Sequence, residues 1–384
     1  MRQPPGFEVP VKEKMVCKLQ KSIYGLKQSA RCWNKALHAV LLEQGFKQSN
    51  TDPCVYVRKG ERPTVYLLVY VDDLLLGCSE EQELDIVFKR LRERFDIISL
   101  GLVRHFLGHD IQKEDGYYTL RLTAYTTELI RKFGMENAHP VRTPMDSGYT
   151  SANNNSQPFE DKTLYRSLVG ALLYIAVNAR PDLSTCVGLL GRKMQEPNKS
   201  DWMAAKRVLQ YINATKEYKL KFCPGDGWEL VGYSDSDYAG DLRTRRSTSG
   251  YVFFYGQGPV CWASKAQDSV ALSTLEAEYN ALTLTCQEAV WLRKLLGDLG
   301  EPQIEATRIY EDNQGCLSFA KAERASGRVK HIDTKSHFIR ELCERSVVEL
   351  KYCSSSEMIA DGLTKPLGPS LLRKFVEKVG ILKQ

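Results

Sequence analysis

The sequence predicts an α+β protein with more than one domain, and three observations support this. A chain of 384 residues with 43% apolar content can bury two or three cores. Two apolar runs, residues 65–69 and 74–76, flank a polar pair and predict a β-hairpin. In the last third, the predicted order is three strands, helix, strand, helix, strand, helix, which is typical of a mixed sheet covered by helices.

The hairpin carries the first candidate site. Tyr70 and Val71 precede Asp72 and Asp73 at its tip. Adjacent carboxylates at the edge of a core repel each other and require a cation, and Mg²⁺ bound by such acids and by substrate phosphates supports phosphoryl transfer. The alternative is an ordinary solvated turn, although Asp-Asp is a poorer hairpin turn than Asn-Gly or Asp-Gly.

Helices and a link follow the hairpin. Helical periodicity predicts helices at 80–95 and 126–133, and then at 165–177, 181–194 and 202–212. Pro181 suits a first helical turn, where its missing N–H costs nothing. Residues 146–161 (DSGYTSANNNSQPFED) lack apolar periodicity and predict a flexible link. Residues 218–222 predict a strand.

The last third places acids at the ends of predicted elements. Strands are predicted at 230–234, 248–255, 259–264, 308–311 and 347–353, with a long helix at 273–296. Asp235 ends the first strand, Asp312 follows the fourth strand, and Asp361 follows the fifth. On the long helix, Glu278 shares its face with apolar residues and Glu276 does not, so we expect Glu278 to face the sheet.

These four acids predict a cage for two Mg²⁺ ions, with Mn²⁺ as the substitute. Each acid has a structural alternative. Asp361 could be stabilised by a helix dipole, and Asp312 could cap the helix that follows it. One such acid alone would favour the structural interpretation, whereas four in order on the expected elements favour the metal site.

Composition narrows the class of protein. Residues 1–50 contain nine Lys/Arg against three Asp/Glu, which favours contact with phosphates, although lysines also simply solvate surfaces. The 11 cysteines are scattered without zinc-ligand spacing. No apolar run or leader predicts a membrane span or export, so we expect an intracellular protein, cytoplasmic or nuclear, without a membrane partner.

Several motifs together resemble the reverse transcriptase and ribonuclease H of copia-type LTR retrotransposons. The motifs are MRQPPGFE at 1–8, LQKSIYGLKQSARCWN at 19–34, YVDD at 70–73, and FLG, FGM and TPM at 106–108, 133–135 and 143–145. In the last third, YSDSDYAGD, LSTLEAEYNAL, YEDNQGC and ADGLTKPL resemble the four carboxylate motifs of the ribonuclease H. The resemblance covers essentially the whole chain.

The resemblance implies a domain plan. Residues 1–145 would be the C-terminal part of a palm with a thumb-like segment, 146–162 a linker, 163–222 a helical connection, and 223–384 a ribonuclease H-like domain with a mixed five-stranded sheet. In that family a third polymerase aspartate and the fingers lie upstream of the QPPGF segment, so we expect DNA synthesis to be lost. Gln28 and Tyr70 resemble residues of the nucleotide pocket, and Leu122 replaces a usual Gln.

The same resemblance implies that Asp235, Glu278, Asp312 and Asp361 hydrolyse the RNA strand of RNA/DNA hybrids. Arg243 and Arg246 are candidates to hold phosphates, as are Arg245 and the basic residues at 321–330, and a solvated loop explains them equally well. His337 could shuttle a proton on the product side, but a packing or phosphate contact is the better interpretation.

Two functional hypotheses remain open at this point. The first is a Mg²⁺-dependent endonuclease that binds RNA/DNA hybrids and template-primer, with the upstream part of the polyprotein as a further partner. The second is a noncatalytic remnant of a decayed element that at most binds nucleic acid.

Overall fold

The structure is a computed structural model that describes residues 1–10, 14–149, 156–224, 227–321 and 330–383, with side chains at 330–334 excepted. The chain forms two compact units, Met1–Gly101 and Leu102–Gln384. No helix among the described residues is both long enough and apolar enough to cross a membrane.

The first unit is a four-stranded antiparallel sheet with two helices. Its elements are α1 (Ser29–Glu43), β1 (Lys47–Gln48), β2 (Val55–Arg58), β3 (Val65–Tyr70), β4 (Asp73–Gly77) and α2 (Glu81–Arg92). The strands lie in the order β1-β2-β3-β4. Leu41 from α1, Leu67 from β3 and Leu91 from α2 are fully buried together, so the helices cover one face of the sheet.

The predicted hairpin is confirmed as β3 and β4, which pair from Tyr66 with Gly77 to Tyr70 with Asp73. Its two-residue turn is Val71 and Asp72, and Val71 has a φ of 53°. A β-branched residue is strained in this left-handed region, which normally takes Gly or Asn. The Trp33 indole N–H donates a hydrogen bond to the Val71 carbonyl at 2.6 Å and so helps to hold the turn.

The second unit contains two five-stranded sheets and the remaining helices. Its first elements are β5 (His105–Phe106), β6 (His109–Glu114), β7 (Tyr117–Arg121), α3 (Thr123–Lys132), α4 (Lys162–Asn178), a 3₁₀ turn (Pro181–Leu183), α5 (Ser184–Gly191), α6 (Lys199–Ala214) and β8 (Lys219–Phe222). The next are β9 (Leu230–Ser236), β10 (Thr248–Tyr255), β11 (Gly258–Ala266), α7 (Thr274–Leu299), β12 (Thr307–Glu311), α8 (Gln314–Lys321), α9 (Lys330–Glu344) and β13 (Val348–Tyr352). A second 3₁₀ turn (Ile359–Leu363), α10 (Pro369–Lys378) and β14 (Ile381–Leu382) complete it.

The predicted mixed sheet is present, in the order β11-β10-β9-β12-β13. β9, β10 and β11 are antiparallel neighbours, whereas β12 runs parallel to both β9 and β13. The central position of β9 beside β12 brings the ends of these two strands to the same edge of the sheet. α7 packs on one face through Tyr279, Leu282 and Cys286.

Helices α4, α5 and α6 belong to a core that also covers the opposite face of this sheet. Leu168, Leu190 and Leu209 share that core with Val252 of β10. The Trp262 indole N–H of β11 also donates to the Ala176 carbonyl of α4 at 3.0 Å. The predicted helix at 181–194 is present as a 3₁₀ turn that begins at Pro181 and leads into α5, which ends at Gly191.

The other sheet of this unit is antiparallel, in the order β14-β8-β7-β6-β5. It pairs Thr119 with Lys221 and Leu220 with Ile381, which lie far apart in sequence. The compact units therefore divide at Gly101, while the functional boundary predicted at 145 falls within the second unit and stays a prediction.

The predicted flexible link falls partly outside the described residues, at 150–155. At its described start, the Tyr149 hydroxyl donates to Asp201 at 2.6 Å, and Asp146 pairs with Arg207 at 2.9 Å. The start of this segment is therefore anchored to α6.

Candidate metal centre

Three of the four acids predicted in the last third converge at one edge of the mixed sheet. Asp235, Glu278 and Asp312 each offer a carboxylate oxygen, and these oxygens lie within 4.8 Å of one another. They come from β9, from the first turns of α7 and from the residue after β12. The parallel pairing of β9 and β12 is what places the first and third acids together.

Asp235 is the most constrained of the three. It lies next to the last residue of β9, opposite Gly250 of β10, and is 5% exposed. Its Oδ2 accepts a hydrogen bond from the Thr364 hydroxyl at 2.7 Å. Burial raises the pKa of Asp235 to about 7, and the charges of Asp361 and Asp312 add to this effect, while Thr364 opposes it.

Glu278 faces the sheet, and Glu276 does not join it. Ser273 caps the start of α7 by accepting from the Glu276 N–H, and the Glu276 carboxylate accepts from the Leu272 N–H at 2.7 Å. Glu278 is 8% exposed, and its Oε2 has no hydrogen-bond partner among the described residues. Burial raises the pKa of Glu278 to about 8, with the charges of Asp235 and Asp312 contributing.

Asp312 is partly buried and is oriented by a hydroxyl. The Ser355 Oγ, from the loop after β13, donates to its Oδ2 at 2.6 Å. The structural alternative is that Asp312 caps α8, but the hydrogen bonds at the start of this helix do not show it. Asn313 caps α8 instead, since its Oδ1 accepts from the Cys316 N–H at 2.9 Å. Asp312 therefore keeps an oxygen directed at the other two acids.

Asp361 stands apart from this group of three. It lies in the second 3₁₀ turn, and its Oδ1 is 2.5 Å from the Lys365 ammonium. Its charge nevertheless contributes to the raised pKa of Asp235, so it lies near the cluster. The structure thus places three acids in mutual reach with the fourth beside them, held by a lysine, and its predicted role as a ligand stays a prediction.

The donor set suits a hard divalent cation. Carboxylate oxygens are the ligands that Mg²⁺ prefers, and buried carboxylates with raised pKa values gain most from a cation that neutralises them. The Glu278 Oε2 is a buried acceptor for which the described residues supply no donor. These residues fit a magnesium site, and Asp235, Glu278 and Asp312 are the side chains that would hold the ion.

The hairpin acids have a different environment. Asp72, Asp73 and Tyr70 are exposed, and so is Gln28 at the start of α1. Among the residues that the structure describes, the hairpin acids belong to no group of three metal-ligating side chains.

The first part of the chain matches a family profile, and nearly the whole chain matches retrotransposon Pol polyproteins. The profile of the family described as reverse transcriptase (RNA-dependent DNA polymerase) matches residues 1–147. The chain is 37% identical to the retrovirus-related Pol polyprotein from transposon TNT 1-94 of Nicotiana tabacum, over 99% of this chain and 29% of that protein. It is 32% identical to a putative transposon Ty5-1 protein of Saccharomyces cerevisiae, over 75% of this chain and 94% of that protein.

The chain belongs to the copia-type retrotransposon Pol family. It spans less than a third of the length of the tobacco Pol polyprotein. Among solved structures, a ribonuclease H1 recovered from compost matches 36% of this chain and 94% of its own, at 13% identity and a TM-score of 0.26. That structural similarity is too low to support an argument. The assignment of a ribonuclease H-like fold to this part of the Pol chain therefore rests on the strand order of its mixed sheet.

Other predicted contact residues of this Pol chain lie outside the acidic group. Arg243 and Arg246 are exposed in the loop between β9 and β10, and His337 is exposed on α9. In the same loop, Asp241 accepts from the Arg243 N–H at 3.0 Å and so shapes the turn. Of the basic residues at 321–330, the side chains at 322–330 lie outside the described part.

Sequence reasoning missed four residues around the acids. Thr364 and Lys365 stand in the ADGLTKPL motif, in which the carboxylate pattern points only to the aspartate. Ser355 carries no local signal. Glu311 is fully buried beside the cluster, and burial together with the charge of Glu278 raises its pKa well above the usual range. Its alternation with Thr307 and Ile309 along β12 was the available signal that it faces inward.

Proposed function

We propose that this chain hydrolyses the RNA strand of RNA/DNA hybrids in a Mg²⁺-dependent reaction. The observation that carries the proposal is the convergence of Asp235, Glu278 and Asp312 within 4.8 Å on a sheet of order β11-β10-β9-β12-β13. A group of buried carboxylates, one of them with an oxygen that receives no hydrogen bond from the part of the chain described, is costly to maintain without a cation and a function for it.

The side chains around the candidate metal centre have separate roles in the proposed reaction. Bound Mg²⁺ would supply Lewis-acid activation of water and stabilisation of the leaving oxygen. Asp235, Glu278 and Asp312 would hold the ion, while Thr364 and Ser355 fix the orientations of the Asp235 and Asp312 carboxylates through hydrogen bonds of 2.7 and 2.6 Å. In this proposal Arg243 and Arg246 would contact substrate phosphates, and His337 would pack or make a phosphate contact. Hybrid selectivity comes from groove shape and 2′-hydroxyl contacts.

We infer that the hairpin acids are part of a polymerase site. Asp72 and Asp73 are exposed and join no third acid among the described residues. We infer that this chain does not extend a primer by itself, because polymerase chemistry needs a further carboxylate to position the metal ions. We propose that the protein acts inside the cell, where its nucleic-acid substrates would be found.

The decisive experiment compares two glutamates of one helix. The full chain, Glu278→Gln and Glu276→Gln are incubated with a labelled RNA/DNA duplex and Mg²⁺, beside Asp235→Asn. Cleavage by the wild type and by Glu276→Gln, with a loss of at least roughly a hundredfold in Glu278→Gln and Asp235→Asn, supports the nuclease.

Two outcomes would contradict the proposal. Cleavage that persists in Asp235→Asn would place the activity elsewhere, and no cleavage by any folded variant would favour the noncatalytic remnant. Primer extension is measured on the same samples with a template-primer. Appreciable synthesis by the chain alone would show that the hairpin site is complete after all.

A further inference from the structure

The lysine beside the acidic group has no role in the function proposed above. Lys365 places its ammonium 2.5 Å from the Asp361 carboxylate, and its side chain is 54% exposed while that of Asp361 is 30% exposed. This pair lies at the edge of the cluster and within reach of solvent, so the ammonium has room to leave.

The backbone holds Lys365 at this place. Its neighbour Thr364 is 2% exposed and donates both to Asp235 at 2.7 Å and to the Asp361 carbonyl at 3.1 Å. Gly250 packs against the same turn, because a Cβ built there would lie 2.8 Å from the Thr364 Cγ2. Lys365 is therefore tethered to the site by a buried residue.

Charge directs the ammonium to the whole cluster. Burial lowers the pKa of Lys365, but the hydrogen bond and charge of Asp361, together with the charges of Asp235 and Asp312, outweigh this effect and raise it. Three of the site's acids thus act on one lysine. A cation that is attracted by these oxygens competes with any other cation for them.

We propose that Lys365 is a built-in competitor of the divalent ion, which occupies a cation position at Asp361 and must give way for Asp361 to become a metal ligand. The inference rests on the proposed function, because it concerns the same Mg²⁺ site. Competition by Lys365 explains why Asp361 stands outside the group of three acids while remaining close to Asp235.

The test measures Mg²⁺ binding rather than cleavage. Mg²⁺ is titrated calorimetrically into the full chain, freed of metal with EDTA, at one fixed alkaline pH. The variants are Lys365→Met, which keeps the apolar stem, Lys365→Arg, which keeps the charge, and Lys383→Met. Lys383 is the matched control because it pairs with Glu377 at 2.7 Å, outside the cluster.

Lys365→Met is expected to bind Mg²⁺ roughly two- to tenfold more tightly than the wild type, since a half-exposed ion pair contributes modestly. Lys365→Arg and Lys383→Met are expected to bind as the wild type does. Thermal unfolding in EDTA confirms that each variant is folded. Equal or weaker binding by Lys365→Met would overturn the inference.

The outcomes separate this inference from the proposed function. If the wild type binds Mg²⁺ and Lys365→Met binds equally, only the inference fails. If the wild type shows no binding but Lys365→Met does, the inference stands, and the wild-type chain is not the Mg²⁺ enzyme proposed. If neither binds Mg²⁺, both fail.

Discussion

At the scale of single residues, the Thr364 hydroxyl stabilises the charged form of Asp235 against the effect of burial. A hydrogen bond to a carboxylate stabilises its charged form, and the bond here opposes a burial effect that raises the pKa to about 7. In Thr364→Val this donor is lost, so the pKa of Asp235 rises further and a proton competes with Mg²⁺. We expect Mg²⁺ affinity to fall roughly tenfold at neutral pH.

Calorimetric titration at several pH values checks this prediction. The affinity of Thr364→Val should recover towards the wild-type value as the pH rises, because the proton is then lost without the hydrogen bond. Thr364→Ser keeps the hydroxyl and serves as the control. A loss that is the same at every pH would mean that Thr364 acts through packing and not through the charge of Asp235.

The buried acids also make stability depend on pH. The folded-state pKa values of about 7 for Asp235 and about 8 for Glu278 lie above the unfolded values of 3.8 and 4.5. The folded state therefore binds these protons more tightly than the unfolded state does. The stability that they add to the folded state is fully present below the unfolded-state pKa values and is lost as the pH rises through about 8. The loss is at most roughly 1.4 kcal/mol per pH unit for each proton.

Unfolding in EDTA, followed from weakly acidic to alkaline pH, measures this dependence. The metal-free wild type should lose stability across the range, and Mg²⁺ should restore it at alkaline pH. A double variant, Asp235→Asn with Glu278→Gln, should show a shallower slope and little response to Mg²⁺. An identical slope in the double variant would assign the dependence to other groups.

At the scale of elements, the close packing of the second 3₁₀ turn on β10 supports the site. Gly250 faces this turn, where an added Cβ would lie 2.9 Å from the Leu363 Cβ and 3.0 Å from the Ala360 carbonyl. Gly250→Ala should push the turn away from the sheet and cost about 1–3 kcal/mol of stability. Because the turn carries Thr364 and Asp361, Mg²⁺ binding should weaken as well.

Gly297→Ala is the matched control, since a Cβ at that position of α7 meets no atom of the described residues within 4 Å. It should be neutral or stabilise by up to about 1 kcal/mol, through higher helix propensity. Denaturant unfolding and Mg²⁺ titration measure both variants. If Gly250→Ala loses stability but keeps its Mg²⁺ affinity, the turn does not position the ligands.

At the scale of the whole molecule, the ribonuclease H-like sheet shares its core with segments that lie outside the predicted 223–384 domain. Leu168 and Leu209 of the preceding helices share one core with Val252 and Phe375. A fragment of residues 223–384 would expose this face of the sheet, so we expect it to unfold at lower temperature than residues 102–384, or to aggregate.

Circular dichroism and thermal unfolding of the two fragments test this expectation. Residues 102–384 correspond to the compact second unit and should unfold cooperatively. If the shorter fragment unfolds at the same midpoint and remains monomeric, the core residues outside 223–384 do not stabilise this sheet.

The sequence by itself determined the local elements and the choice of acids. The two apolar runs on either side of a polar pair predicted the YVDD hairpin, because such runs are visible without coordinates. Helical geometry chose Glu278 over Glu276 because the two residues point in different directions on α7. Motif order gave the family, which whole-chain relatives confirm.

Only the tertiary structure decided which acids meet and which are held by other partners. The approach of Asp312 to Asp235 depends on the pairing of β12 with β9, and the capture of Asp361 depends on the fold of the turn that carries Lys365. The extent of the second unit depends on the pairing of β8 with β7 and β14. Contacts between distant segments leave no local period in a sequence, because they are fixed by packing and strand order rather than by neighbours along the chain.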